Sequence, residues 1–289
     1  MSDLLLADER EAVASASRHL AQRGLVIGTA GNISARKGDH VAVTPTGADL
    51  ATVTAEMVTV IDLEGAVVDG DLAPTSEVPL HTGIYADTNA LAITHAHAMA
   101  STALSCTHDE LLALHYSCLG LGGTPRTAAY ATFGSQELAD NVIEALKGRN
   151  AAMMQNHGSV AYGTTMEQAI ERLELLEWLA ELYWRASSLG TPRVLTDKDF
   201  EAIIMSAMER GYGTTKKAIR ARSLADRPEQ RPRHRCLRRA LGGDTTSGRR
   251  HGCLGIGSRR TGPAGVSDRW AWAGSRNRSI GRSAFSPVP

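Results

Sequence analysis

The stretch Thr94-His95-Ala96-His97 decides how the rest of this chain is read. In an extended strand residues i and i+2 point to the same face, so His95 and His97 would present two imidazoles side by side. That is half of a metal site. Imidazole is a common ligand for zinc and its first-row neighbours, and a catalytic zinc usually has three protein ligands and one open position. A comparable histidine, between an apolar run and a glycine, is His157 in Ala152-Met153-Met154-Gln155-Asn156-His157-Gly158. Alone, a His-x-His pair fits two structural histidines on a strand face equally well, so the surrounding segments must decide.

Working outward, residues 90–94 form the apolar strand that carries the pair, and 98–104 look helical. Upstream, Pro74-Thr75-Ser76-Glu77 precedes Pro79 and a helix over 80–87. A glutamate in a first turn either complements the helix dipole or, within reach of a metal-bound substrate, acts as a general base. Further back, Gly28-Thr29-Ala30-Gly31-Asn32-Ile33-Ser34 leaves backbone N–H groups uncovered and adds Asn and Ser donors. It reads as an anion cradle or as a plain turn between helix and strand. Thr44-Pro45-Thr46-Gly47 is a similar turn with a hydroxyl. Three such turns, none containing Lys or Arg, are suited to hold a phosphate through neutral donors.

The remaining periodicities give a mixed α/β pattern. Leu6, Val13, Ala16 and Leu20 recur at helical spacing up to Gly24, and 41–44 alternates as a strand. Residues 58–63 and 66–68 form a hairpin, and 111–116 reads as a further strand. Ser135 opens a helix to about 147, and 151–155 is the short strand before His157. Thr164-Thr165-Met166-Glu167 resembles a capping box for the longest helix, with Ala169, Leu173, Leu176 and Leu182 as its apolar side. On it, Trp178, Tyr183 and Trp184 are packing or interface residues. A last amphipathic helix covers 199–210.

Composition divides the chain. Its net charge is zero over 289 residues with 43% hydrophobic content, but residues 1–215 carry 13 Lys+Arg against 27 Asp+Glu, and 216–289 carry 18 against 4. The tail 216–289 is rich in Arg, Gly, Ser and Pro, without apolar periodicity, and reads as disordered. Its basic charge suits a nucleic-acid or membrane arm. The abrupt change of composition favours out-of-frame translation or an extension of no function, so neither a nucleic acid nor a membrane is expected as partner. Two His-x-Cys units in the tail, ending at Cys236 and Cys253, lack a core around them. The first ten residues lack the basic region and apolar core of a signal peptide. With four cysteines and no CxxC spacing, the expected compartment is the cytoplasm.

Six motifs taken jointly resemble the class II aldolase/adducin family: Gly31-Asn32-Ile33-Ser34, Thr44-Pro45-Thr46-Gly47, Thr75-Ser76-Glu77 with His81, the His95/His97 pair, Tyr130-Ala131-Thr132-Phe133-Gly134 and Asn156-His157-Gly158. The resemblance covers about residues 4–215. It implies one three-layer α/β/α domain over 1–215 with a central, largely antiparallel sheet, assembled as a homotetramer with active sites between subunits. It further implies that His95, His97 and His157, with Glu77 in the resting enzyme, bind zinc or another divalent first-row ion. Gly31, Asn32, Thr46, Gly47, Thr75 and Ser76 would bind a substrate phosphate. Glu77 would be the acid/base, Tyr116 a catalytic tyrosine contributed across the interface, and Tyr212 a C-terminal tyrosine closing over the substrate.

The implied reaction is cleavage of a ketose 1-phosphate, such as L-fuculose 1-phosphate, to dihydroxyacetone phosphate and an aldehyde such as L-lactaldehyde. The same scaffold also serves 5-deoxypentulose-phosphate aldolases, ribulose-phosphate 4-epimerases, a methylthioribulose-1-phosphate dehydratase and decarboxylases. Adducin-type members use it as an interaction module and would lack the metal histidines.

Overall fold

Alternation along each strand gives this chain a sheet with two apolar faces, and the helices between strands cover both. The computed structural model describes residues 4–210. The tail 216–289, the boundary at 215 and Tyr212 lie outside the described residues. In chain order the elements are α1 (Ala7–Gln22), β1 (Asn32–Lys37), β2 (His40–Val43), β3 (Thr59–Asp62), β4 (Val67–Asp69), α2 (Val78–Asp87), β5 (Ala92–Ala96) and α3 (Met99–Ser105). A 3₁₀ turn (Tyr116–Leu121), β6 (Thr127–Ala128), α4 (Gln136–Leu146), β7 (Ala151–Met154), β8 (Gly158–Gly163), α5 (Met166–Leu189) and α6 (Asp197–Arg210) follow.

The strands lie in the order β4-β3-β2-β1-β5-β8-β7-β6, antiparallel throughout except for β6 against β7. On one face Ile33, Ala92, Ala96, Met153 and Ala161 pack with Val13 and Leu20 of α1 and Leu173 and Leu176 of α5. On the other, Val41, Ile61, Ile93, Met154 and Val160 pack with Leu80 and Ile84 of α2 and Leu138 and Val142 of α4. Successive residues of β5 thus feed opposite cores, as period-two alternation requires. The three-layer α/β/α arrangement with a largely antiparallel sheet is the one expected.

Several local expectations differ. Residues 111–115 form no strand; Leu111 N–H donates to Pro125 O, Leu195 N–H donates to Ala113 O, and the chain then tightens into the 3₁₀ turn. Leu111 is buried in the core and Leu114, three residues on, packs half-buried against it, so alternation there is not matched by burial. Strands β1, β6 and β8 were not anticipated, because glycine and small residues mask their alternation. The cap of α5 sits one residue later than read: Thr165 Oγ1 accepts from Gln168 N–H, while Gln168 Oε1 accepts from Thr164 N–H. On α5 the buried stripe continues through Leu179, Ala180 and Tyr183, with Leu182 only half-buried.

One polar seam joins β1 to α2 within an otherwise apolar layer. Ser34 Oγ lies 2.7 Å from Tyr85 OH and 2.7 Å from His81 Nδ1, and His81 Nε2 lies 2.6 Å from Asn32 Oδ1. Fully paired, such a seam costs little and fixes the register of helix against strand; half-paired it would be strongly destabilising. Burial, together with the charge of His95 and against the pull of Glu77, lowers His81 to a pKa of about 4. In the native chain His81 therefore stays neutral until about pH 4, while the unfolded chain takes up that proton near the ordinary value of 6.5. More protons bind to the unfolded state in this window, so stability falls as pH drops from about 6.5 to 4 and is flat above. The His81 share of that loss is about 3 kcal/mol. Urea denaturation of metal-free protein between pH 7.5 and 4.5 checks this: the pH slope should be shallower in His81→Gln, and an unchanged slope would contradict it.

Candidate metal centre and substrate cavity

Strand β5 ends where α2 begins, and this junction assembles the site. His95 is fully buried on β5, directly opposite Asn32 in the β1 register, and His97 follows just beyond the strand end. His157 comes from the tight turn between β7 and β8, where Asn156 adopts φ 54° and reverses the chain. The three imidazole rings stand edge to face, with centroids 4.8–5.0 Å apart. Their ligating nitrogens all lie within 4.8 Å of one another. A hydrogen bond sets the tautomer of the innermost ring: His95 Nδ1–H donates to Ser159 O at 2.9 Å and leaves Nε2 turned to the other two. This is the arrangement by which backbone carbonyls orient metal-binding histidines.

Close backbone approach leaves no room for side chains at two points. A Cβ at Gly158 would meet Ala96 O at 2.5 Å and the rings of His97 and His95 at 3.0 and 3.2 Å. One at Gly31, which has φ +98°, would meet His95 O at 2.8 Å.

Glu77 closes the fourth side. It occupies the N-cap position of α2 and is only 4% exposed. Its Oε2 lies 3.1 Å from His95 Nε2 and accepts from Asn32 Nδ2 at 2.8 Å, and its Oε1 lies 3.5 Å from His157 Nε2. That Oε1 is buried with no hydrogen-bond donor. Burial raises the carboxyl pKa, but the His95 charge and hydrogen bond, the Asn32 amide and His157 outweigh it and hold the group well below the ordinary carboxylate range. Burial also lowers His97 and His157 to about 4, aided by the neighbouring His95 charge, so both rings are neutral ligands at pH 7. For His95, burial is opposed by Glu77 and the Ser159 carbonyl, and the net direction is upward.

Three convergent imidazole nitrogens and an under-bonded carboxylate oxygen fit a divalent first-row ion by donor type and number. The sequence-predicted ligands His95, His97, His157 and Glu77 are therefore brought together.

The same is true of the expected phosphate positions. Gly31, Asn32, Thr46, Gly47, Thr75 and Ser76 line one cavity of about 270 Å³, with Glu77, His97 and His157 on its wall. Thr75 N–H donates to Thr44 O, and Thr46 N–H donates to Ala73 O, so the second and third small-residue turns are bonded to each other. The Gly28–Ser34 stretch is a turn that runs directly into β1. Tyr130 and Phe133, more than half exposed, also line the cavity. Tyr116 does not: it stacks on His115 and borders a separate hollow with Leu175 and Ile203. Ser34, read as a donor of the anion cradle, instead lies off the cavity, bonded to His81 and Tyr85. Tyr85 and Ser159 were not anticipated, since nothing local in the sequence marks a partner so far along the chain.

Comparison with known proteins agrees with this geometry. Residues 11–184 match the profile described as "Class II Aldolase and Adducin N-terminal domain". A 5-methylthioribulose-1-phosphate/5-deoxyribulose-1-phosphate aldolase of Rhodospirillum rubrum is 36% identical over 197 residues, covering 68% of this chain and 89% of that one. A 5-deoxy-D-ribulose 1-phosphate aldolase of Bacillus thuringiensis serovar kurstaki is 32% identical over 215 residues, covering 73% of this chain and 99% of that one. A solved structure of an L-fuculose 1-phosphate aldolase superposes with a TM-score of 0.68 at 32% identity, covering 72% of this chain and all of that one. With residues 11–184 matched by that profile and relatives this similar over nearly their whole length, the chain belongs to the class II aldolase/adducin family.

Proposed function

We propose that this class II aldolase cleaves a ketose 1-phosphate between C3 and C4, releasing dihydroxyacetone phosphate and a short aldehyde. One observation carries the reading: His97, His157 and Glu77 line the same cavity as the Lys- and Arg-free turns at Gly31–Asn32, Thr46–Gly47 and Thr75–Ser76, with His95 completing the cluster behind them. The substrate's outer end is either that of L-fuculose 1-phosphate or that of a 5-deoxy- or 5-methylthio-pentulose 1-phosphate, the compounds named for the relatives.

Zinc, or another divalent first-row ion held by His95, His97 and His157, would polarise the substrate carbonyl and stabilise charge that develops on its oxygen. The chain's own groups do the rest. Hydroxyls of Thr46, Thr75 and Ser76 and the Asn32 amide hold the phosphate, and thereby set C3 against Glu77. Net, the C3–C4 bond breaks, its electron pair passes to C3, the C4 hydroxyl becomes a carbonyl, and the hydroxyl proton ends on C3. Glu77 is the group in place to deliver that proton, and to remove it in the synthetic direction. No Schiff-base lysine is involved; the only lysines before residue 216 are Lys37, Lys147 and Lys198.

Tyr116 and Tyr212 complete the reading. In a homotetramer with shared sites, Tyr116 would enter a neighbouring subunit's cavity and assist proton transfer at the aldehyde oxygen, and Tyr212 would close over the substrate. The cytoplasm is the proposed compartment; among the described residues no helix is long and apolar enough to cross a membrane.

Assay of dihydroxyacetone phosphate release from L-fuculose 1-phosphate and from 5-deoxy-D-ribulose 1-phosphate tests the reaction. Release should vanish with chelator and in His95→Ala, and Glu77→Gln should lose about 10²–10⁴-fold in kcat with metal still bound. Metal-loaded protein that releases nothing from either compound would move the reaction elsewhere in the family. The shared site has its own check. His95→Ala and Tyr116→Phe, each impaired alone, should regain activity when unfolded and refolded together; a mixture no better than its parts would place Tyr116 outside the site.

A further inference from the structure

Behind the cavity wall runs a buried chain of hydrogen bonds that ends on Glu77; Tyr85, Ser34 and His81 lie outside the cavity lining, and Asn32 and Glu77 border it. From the far end, Tyr85 OH lies 2.7 Å from Ser34 Oγ, Ser34 Oγ 2.7 Å from His81 Nδ1, His81 Nε2 2.6 Å from Asn32 Oδ1, and Asn32 Nδ2 2.8 Å from Glu77 Oε2. All five residues are at most 6% exposed.

With the His81 ring neutral, only one assignment of hydrogens satisfies every link. An ionised carboxylate can only accept, so Asn32 turns its amide nitrogen to Glu77 and its carbonyl oxygen to His81. That oxygen needs a donor, which makes His81 the Nε2–H tautomer with a bare Nδ1. Ser34 must then give its single proton to Nδ1, and its oxygen receives the Tyr85 hydroxyl. Every donor in the series points toward Glu77. With the amide of Asn32 in the middle and Tyr85 closed off in the core, the series is built to hold an orientation; it is not a path that exports protons.

We propose that His81 is a positioning residue: it dictates the orientation of the Asn32 amide, so that one amide nitrogen serves both the Glu77 carboxylate and the phosphate-binding turn. The inference rests on the functional reading above for the phosphate end, whereas its hydrogen-bond order concerns this chain alone. Were His81 to present a bare Nε2, Asn32 would turn over. Its carbonyl oxygen would then face the Glu77 carboxylate, and the second amide hydrogen would be lost to the cavity. One buried imidazole on α2 thereby couples the general base to the cradle.

The test begins on the unaltered zinc-loaded full chain with ¹⁵N-labelled histidine. The resonance that disappears in His81→Gln should show a protonated Nε2 and a bare Nδ1; the opposite tautomer, or a doubly protonated ring at pH 7, overturns the proposal. A second arm compares His81→Asn, whose amide reaches only the Nδ1 position, with His81→Gln, whose amide reaches the Nε2 position and can donate to Asn32. The asparagine variant should lose about 10–100-fold in kcat while retaining one zinc per chain. Its competitive inhibition by inorganic phosphate should weaken as well, and the glutamine variant should recover most of both losses. Equal losses in the two variants, or unaltered phosphate inhibition in His81→Asn, would reduce His81 to a packing residue and overturn the proposal. If neither variant folds, Ser34→Ala carries the same arm by removing the donor to Nδ1. Should the wild type cleave none of the ketose 1-phosphates, the functional reading fails, and the tautomer together with phosphate binding measured by calorimetry still decides this one.

Discussion

A carboxylate removed from water loses several kcal/mol of hydration that nearby charges and donors must replace. Glu77 meets this demand with His95 and His157 on one side and the Asn32 amide on the other, and the arrangement explains features that look unrelated along the chain. β1 must pair with β5 so that Asn32 stands opposite His95. Helix α2 must begin at residue 78 so that Glu77 faces the histidines from its N-cap. The seam of Ser34, His81 and Tyr85 must be polar in an otherwise apolar layer, because Asn32 needs a donor behind it.

The same electrostatics prepare the cluster for a cation. His97 and His157 are neutral through the physiological range, so two of the three ligands need lose no proton when an ion enters, whereas the His95–Glu77 contact is the one an ion must rearrange. Neutral imidazoles leave a divalent ion its full charge, which suits the polarisation of a carbonyl. The proposed phosphate cradle follows a compatible logic. Turns rich in N–H groups and hydroxyls bind an anion without introducing a fixed positive charge that would pair with Glu77 and pull it from the histidines.

Much of this was legible before any coordinates, and the reason lies in period and punctuation. His95 and His97 declare themselves because a strand repeats every two residues, and the cap at Ser135 because a hydroxyl precedes a helical run. Where small residues carry the strand the signal fails: Gly158-Ser159-Val160-Ala161-Tyr162-Gly163 is a central strand, yet its short side chains show little alternation. Conversely, 111–116 has the composition of a strand but no edge with which to pair along its length. The buried seam could not be read at all, since Ser34 and its partners His81 and Tyr85 are 47 and 51 residues apart. Tyr116 shows the remaining limit: nothing local in the sequence tells that it borders a hollow apart from the cavity of its own chain.

The central claim is that His95, His97 and His157 form one metal site beside Glu77, and zinc K-edge X-ray absorption of the reconstituted full-length protein tests it most directly. The account predicts three imidazole nitrogens at about 2.0–2.1 Å completed by oxygen, and loss of one nitrogen in His157→Ala. A sulfur shell at about 2.3 Å, as the tail's Cys236 or Cys253 would supply, or a spectrum unaltered by His157→Ala, would contradict it.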